Sequence, residues 1–293
     1  MTFPRMRPGR QRNVGVTLIE LVITIVIGGI VSAMVVYFIQ PVRSYIDSSR
    51  RAALADTADT ALHRIGRDLR LALPNSVRVT TVGAVTYIEF LLIRTGGRYR
   101  AEAGGTATCG ADPADVLIFT GSDSCFTSLG NVPNAGEVAT SDFLVVFNLG
   151  PGSANADAYE SAGVTGGNKS KITALTGDKV EFEAHAFTYE SPGKRFFIIE
   201  GPVTYACDKT ARTLTRYWGY TIQPAQPTPP TAGSPSSALM ASGVDDCTAT
   251  YQSNVVAQSD GLVTLFLKLK AQDSSGDMET VSLYQTVHVN NVP

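Results

Sequence analysis

Three histidines (His63, His185 and His288) and four cysteines (Cys109, Cys125, Cys207 and Cys247) are the residues from which a catalytic or metal centre would first be built. Such centres need ligands at close, repeated spacings. No C-x-x-C pair, H-x-x-x-H or H-E-x-x-H pattern occurs. A G-x-S-x-G elbow and a phosphate-binding glycine loop are also missing. The segment "DSSGD", Asp273 to Asp277, offers oxygens to calcium. It lacks the twelve-residue loop spacing of an EF-hand, so it reads as a solvated turn, and Asp245-Asp246 reads the same way. These residue types therefore predict no catalytic residue, no metal site and no cofactor, and the chain is read as something other than an enzyme.

One acid stands out by its position. Glu20 precedes Leu21–Ile39, nineteen residues without a charge and with only Thr24 and Ser32 as mildly polar breaks. As a helix rising about 1.5 Å per residue, that run nearly matches a hydrocarbon core of about 30 Å. Arg5, Arg7, Arg10 and Arg12 precede it without an acid, which orients the N-terminus to the cytoplasm. Arg43, Arg50 and Arg51 follow, so the bias is modest. Two plainer readings compete. One is a secretory signal peptide cut after Val31-Ser32-Ala33, although the apolar run continues past that point. The other is a simple anchor with an accidental glutamate, which the expense of an ionisable group in a membrane segment disfavours.

The rest of the chain must position these residues. With 293 residues, 44% hydrophobic, it can bury a sizeable core. A net charge of −2 without a long basic run gives no reason to expect a nucleic-acid partner. From Leu54, the positions Ala58, Ala61, Leu62, Ile65, Leu69 and Ala72 recur at spacings of three and four, with Asp56, Thr60, Arg64, Arg67 and Arg70 largely off the stripe. This predicts an amphipathic helix stopped by Pro74-Asn75. Pro41 should kink or open the helix between its two halves, and Gly28-Gly29 is a second weak point.

Beyond Pro74 the pattern becomes that of strands: "SVRVTTV", "TYIEFLLI", "DVLIFT", "DFLVVFNL", "KVEFEA", "KRFFIIEGPVTYAC", "RTLTRYWGYTI", "GLVTLFLKLKAQ" and "ETVSLYQTVHV". No helical pattern separates them, so the domain should be mostly antiparallel, with the last two strands forming a hairpin around "DSSGDM". The small, Gly-rich Ala101–Pro113 and the low-complexity Gln223–Ser237 should be long loops, the second extended and mobile. Four cysteines permit three pairings. The favoured one joins sequence neighbours, Cys109–Cys125 and Cys207–Cys247, in an oxidising compartment. The first bridge would close a loop around Asp112–Thr120. The second would tie "VTYAC" to the chain beyond the proline-rich loop.

The stretch "GVTLIELV" resembles the leader motif of type IV pilins, in which a prepilin peptidase cuts after glycine and the new N-terminus is methylated. Gly15 matches the residue before the cut and Val16 the new N-terminus, where the family usually has phenylalanine. Glu20 matches the family's acidic position. "SRRAALADTADTALHRIGRDLRLALPNSVRV" (Ser49 to Val79) and the terminal "LYQTVHVNNVP" resemble pilin-like biogenesis subunits of mannose-sensitive haemagglutinin (MSHA) pili, and more loosely the larger minor pilins and the J-type pseudopilins of type II secretion.

The resemblance implies an α+β, type IV pilin-like fold: a leader (1–15), a transmembrane helix (16–40), an amphipathic stem (41–73) and an exported β-rich domain (74–293). It implies a minor pilin or pseudopilin of a tip or priming complex, in the inner membrane with a periplasmic domain, that reaches the cell surface if assembled. Its partners would be major and minor pilin-like subunits, the prepilin peptidase and the pilus assembly platform. Glu20 would pair with the freed ammonium of Val16, in the same or a neighbouring subunit, and set axial register rather than add net stability. Retention of that acid implies a place below the topmost subunit, since subunits there typically lack it. A membrane-anchored, adhesin-like binding module displaying the proline-rich loop is the alternative from another class.

Overall fold

A computed structural model describes residues 15–102, 109, 115–160, 166–256, 260–272 and 276–293. The leader residues before Gly15, most of Ala101–Pro113 and the first three residues of "DSSGDM", Asp273 to Ser275, lie outside them.

A single helix, α1 (Leu18–Arg70), leads the chain. Its 53 residues correspond to about 80 Å. The chemistry of α1 changes along its length. Leu18–Phe38 is long and apolar enough to cross a membrane, and none of it is buried in the protein. Further on, Ala58, Ala61, Leu62, Ile65 and Leu69 are buried on one face, with Leu54 packed at the margin. The three-and-four spacing thus locates the docked face. Helix geometry continues through Gly28-Gly29 and Pro41, contrary to the expected opening. A proline removes one N–H from the ladder, and here the neighbouring turns carry the helix across that loss. At the far end α1 closes at Leu71, whose N–H is donated to Asp68 O, and Leu73 N–H is donated to Leu91 O. The chain leaves the helix directly onto a sheet.

The β domain comprises β1 (Arg78–Val82), β2 (Val85–Arg98), β3 (Asp123–Thr127), β4 (Phe143–Val145), β5 (Lys169–Thr176), β6 (Lys179–His185), β7 (Arg195–Asp208), β8 (Thr213–Trp218), β9 (Ser236–Ser242), β10 (Val244–Val256), β11 (Asp260–Gln272) and β12 (Met278–Asn290). Every ladder between these strands is antiparallel. A nine-stranded sheet runs β1-β2-β7-β4-β5-β6-β3, with β8 and then β9 branching from β7. The branch is possible because β7 is long: Phe197–Ile199 pairs with β4 and Val203–Asp208 with β8. A second sheet, β10-β11-β12, stands apart. Its β11 alternates, burying Val263, Leu265, Leu267 and Leu269. These side chains share a core with the α1 stripe and with Phe90, Val203 and Tyr205 of the large sheet. The architecture is α+β, a long apolar helix followed by a mostly antiparallel domain, consistent with a type IV pilin-like fold.

Several local expectations are corrected. "DVLIFT" is not a strand. Asp115 has a left-handed backbone (φ 47°), and the Ile118 N–H is donated to the Asp123 carboxylate instead of to a ladder. The strand in this region is β3, paired with β6. Three strands had no clear signal: β5, β9 and β10 are rich in Ser, Thr, Ala or charged residues, and cross-strand pairing outweighs their weak intrinsic preference. Gln223–Ser237 does not hang free. Arg78 donates to the Gln223 and Pro224 carbonyls, Thr80 donates to Gln226 Oε1, Gln226 donates to Tyr87 O, and Pro230 is buried. Asp245 and Asp246 lie in β10, not in a turn, and face Lys268, Lys270 and Lys209. The final hairpin forms, with Gln272 opposite Met278.

Candidate assembly site

The N-terminal site is built by the start of α1. Gly15, Val16 and Thr17 precede the first helical turn and are exposed. A Cβ added to Gly15 would meet nothing within 4 Å. The Gly15–Val16 bond therefore lies in non-helical, exposed chain. Thr17 is the N-cap, its hydroxyl 3.4 Å from the Glu20 N–H. Leu21 N–H is donated to Thr17 O at 3.1 Å, closing the first turn. Thr-x-x-Glu is the capping-box pattern, and a carboxylate in the first turn faces the positive end of the helix dipole. Sequence reasoning missed this role, although the Thr17–Glu20 spacing carries the signal. The Glu20 side chain is exposed and makes no ion pair among the described residues.

The stem is held by polar contacts as well as its stripe. Asp68, 4% exposed, accepts from Tyr205 Oη at 2.8 Å and from Arg216 Nε at 2.9 Å. Burial, then the nearby Asp68 charge, pushes the Tyr205 hydroxyl well above its usual range. The Arg216 guanidinium also lies 5.0 Å from the centre of the Trp218 ring. Nearer the membrane half, Arg51 pairs with Glu279 of β12. These contacts fix α1 to both sheets.

Two disulfides brace the domain. Cys109 is joined to Cys125 with Cα atoms 5.6 Å apart, and Cys207 to Cys247 at 6.5 Å. The second bridges β7 to β10, and so one sheet to the other. His63 is exposed and lies 3.3 Å from Asp59. His185 is buried, with Nε2 2.7 Å from Gly167 O, and His288 is exposed on β12. The three are not brought together. Among the described residues no cluster of metal-ligating side chains forms.

A buried ion pair lies under the proline-rich loop. Arg78 donates to Glu89 Oε1 at 2.8 Å and stacks 3.7 Å above the Tyr159 ring. Burial raises the Glu89 carboxyl to about 7 despite Arg78. Beside this region a cleft of about 560 Å³ is lined in part by Arg94, Asp142, Phe143, Lys169 and Tyr220. Lys169 donates to the Ala158 and Glu160 carbonyls, and burial lowers its ammonium to about 8.

Residues 11–36 match the family model described as the prokaryotic N-terminal methylation motif. The match supports a type IV pilin-like protein. It spans Gly15, Val16, Glu20 and most of the apolar half of α1, and the family it defines is structural rather than catalytic. One N-terminal apolar helix bearing this motif fits a membrane-anchored chain. No curated protein and no solved structure gives a significant match.

Proposed function

We propose that the chain is a minor pilin-like subunit of a type IV, MSHA-type pilus, cut by prepilin peptidase between Gly15 and Val16 and methylated on Val16. It sits in the inner membrane by Leu18–Phe38, holds its β domain in the periplasm, and joins a tip or priming complex below the topmost subunit. Support comes from one combination: a methylation motif at the start of an exposed apolar helix whose second half is docked on a disulfide-braced β domain. The finer assignment rests on the resemblance of Ser49–Val79 and Leu283–Pro293 to the MSHA biogenesis protein MshO. The cleft around Lys169 and Tyr220 favours a binding role as a second activity of the exported domain, more than the anchored proline-rich loop does.

Mechanistically, extraction from the membrane moves the apolar helix into a bundle of like helices that excludes water. Glu20 then neutralises the α-ammonium of a mature N-terminus, which only cleavage after Gly15 supplies. A charge left alone in such a bundle costs about 3–5 kcal/mol. Glu20→Ala makes the segment more apolar, so insertion is retained while incorporation falls. Comparing membrane and sheared-filament fractions for the full-length wild type and mutant tests this. Equal incorporation would remove Glu20 from assembly.

A further inference from the structure

The two edges of the small sheet are built differently. On the β10 edge the ladder to β11 is interrupted twice, at Val244/Asp246 and Gln252/Val256, and Asp245 and Asp246 add charge. Irregularities and charges are the usual protection of an edge against pairing. The β12 edge has no such irregularity. All thirteen residues pair in register, from Met278 opposite Gln272 to Asn290 opposite Asp260. The strand contains no proline, lysine or arginine. Glu279, its one acid, points to Arg51 of α1. Thr280, Ser282, Tyr284, Thr286 and His288 form the exposed face, with Tyr284 75% exposed. The outer edge of β12 pairs with no strand among the described residues.

This edge borders α1. A groove of about 130 Å³ lies between Asp59, Leu62 and His63 of the helix and Leu283, Tyr284 and Gln285 of the strand. Gln285 Oε1 is buried there without a hydrogen-bond partner among the described residues. The helix and strand also run in the same direction. Arg51 meets Glu279, and Gly66 lies against Gln285. The intervening helix spans about 22 Å and the strand about 20 Å.

We propose that the β12 edge and this groove receive an extended segment of a neighbouring pilin-like subunit, which adds a fourth strand to the sheet. The inference rests on the reading of the chain as such a subunit. The apolar half of α1 is wholly exposed, so assembly sets a neighbouring helix beside it. That neighbour carries its exported domain along the same side, to the edge that runs parallel to the helix. The incoming segment places apolar side chains against Leu283 and Tyr284. A second copy of this chain is a poorer occupant. Two-fold antiparallel pairing at β12 would reverse the second α1 and point its membrane segment the wrong way.

The test uses the full-length chain in cells that assemble the filament, with a photoreactive residue in place of Ser282 or, separately, Val35. Adducts are identified by mass spectrometry of the joined peptides. The expected Ser282 adduct is with an extended segment of a different chain that itself carries a methylation motif. Tyr284→Lys combined with Thr286→Lys lowers that adduct about tenfold or more, while the melting temperature and the Val35 adduct persist. With Val35 adducts present, failure of Ser282 to react, or its reaction only with another copy or with a chain lacking the motif, overturns the edge proposal alone. Loss of pilin-like adducts at both positions overturns the underlying reading as well.

Discussion

Asp68→Ala tests how the stem is held. The substitution removes the acceptor of Tyr205 Oη and the counter-charge of Arg216, whose side chain is 12% exposed. Breaking a buried pair from one side costs about 3–5 kcal/mol, most of it from the charge left behind. Arg216 keeps its contact with the Trp218 ring and a little solvent, which places the loss near the lower end, about 3 kcal/mol. For a domain of this size each kcal/mol shifts the midpoint by about 2–4 °C, so the melt of the full chain in detergent should fall by about 6–12 °C. Asp68→Asn, which keeps an acceptor, should lie between wild type and alanine. Asp59→Ala, at an exposed site on the same helix, should stay within about 0.5 kcal/mol of wild type. A melt of Asp68→Ala within about 1 kcal/mol of wild type would refute this account of the Asp68 contacts.

Two further outcomes follow from the domain. Replacing Cys207 and Cys247 with alanine should destabilise more than replacing Cys109 and Cys125, because the separations are 40 and 16 residues and loop entropy gives about 4 against about 3 kcal/mol; denaturant unfolding that shows the reverse order would contradict it. Glu89 has a raised folded-state pKa, from 4.5 to about 7, so its contribution is fully present below about 4.5 and is lost as pH rises through about 7. Glu89→Gln should therefore gain on wild type by on the order of 3 kcal/mol between pH 4.5 and 7.5 in urea titrations, and a constant difference would mean the carboxyl is not held protonated by burial.

What the sequence made legible was whatever a repeating pattern carries. The spacing of Ala58, Ala61, Leu62, Ile65 and Leu69 locates the docked face of α1, and the alternation in Gly261–Gln272 locates the inward face of β11. The apolar run before Phe38 is legible because a membrane demands length and composition together. Features set by tertiary contact were not legible. Asp68 looks like another solvent-side charge until Tyr205 and Arg216 arrive from strands far along the chain. β9 and β10 are strands because neighbours offer them ladders, not because "SSALMAS" or "VDDCTATY" prefers extension. The proline-rich loop has an open composition, yet Arg78 and Gln226 tie its first part to the β1–β2 edge. At the N-terminus, Gly15, Val16 and Glu20 stand out only through a motif, whereas the Thr17 cap follows from the Thr-x-x-Glu spacing itself.

The central claim is that Val16 begins the mature chain. Its most direct test is mass spectrometry of the N-terminal peptide from cells with and without prepilin peptidase. The account predicts a peptide beginning Val-Thr-Leu-Ile, methylated on Val16, that disappears when the peptidase is absent. An N-terminus at Met34, or a chain that keeps its first fifteen residues in the presence of the peptidase, would contradict it.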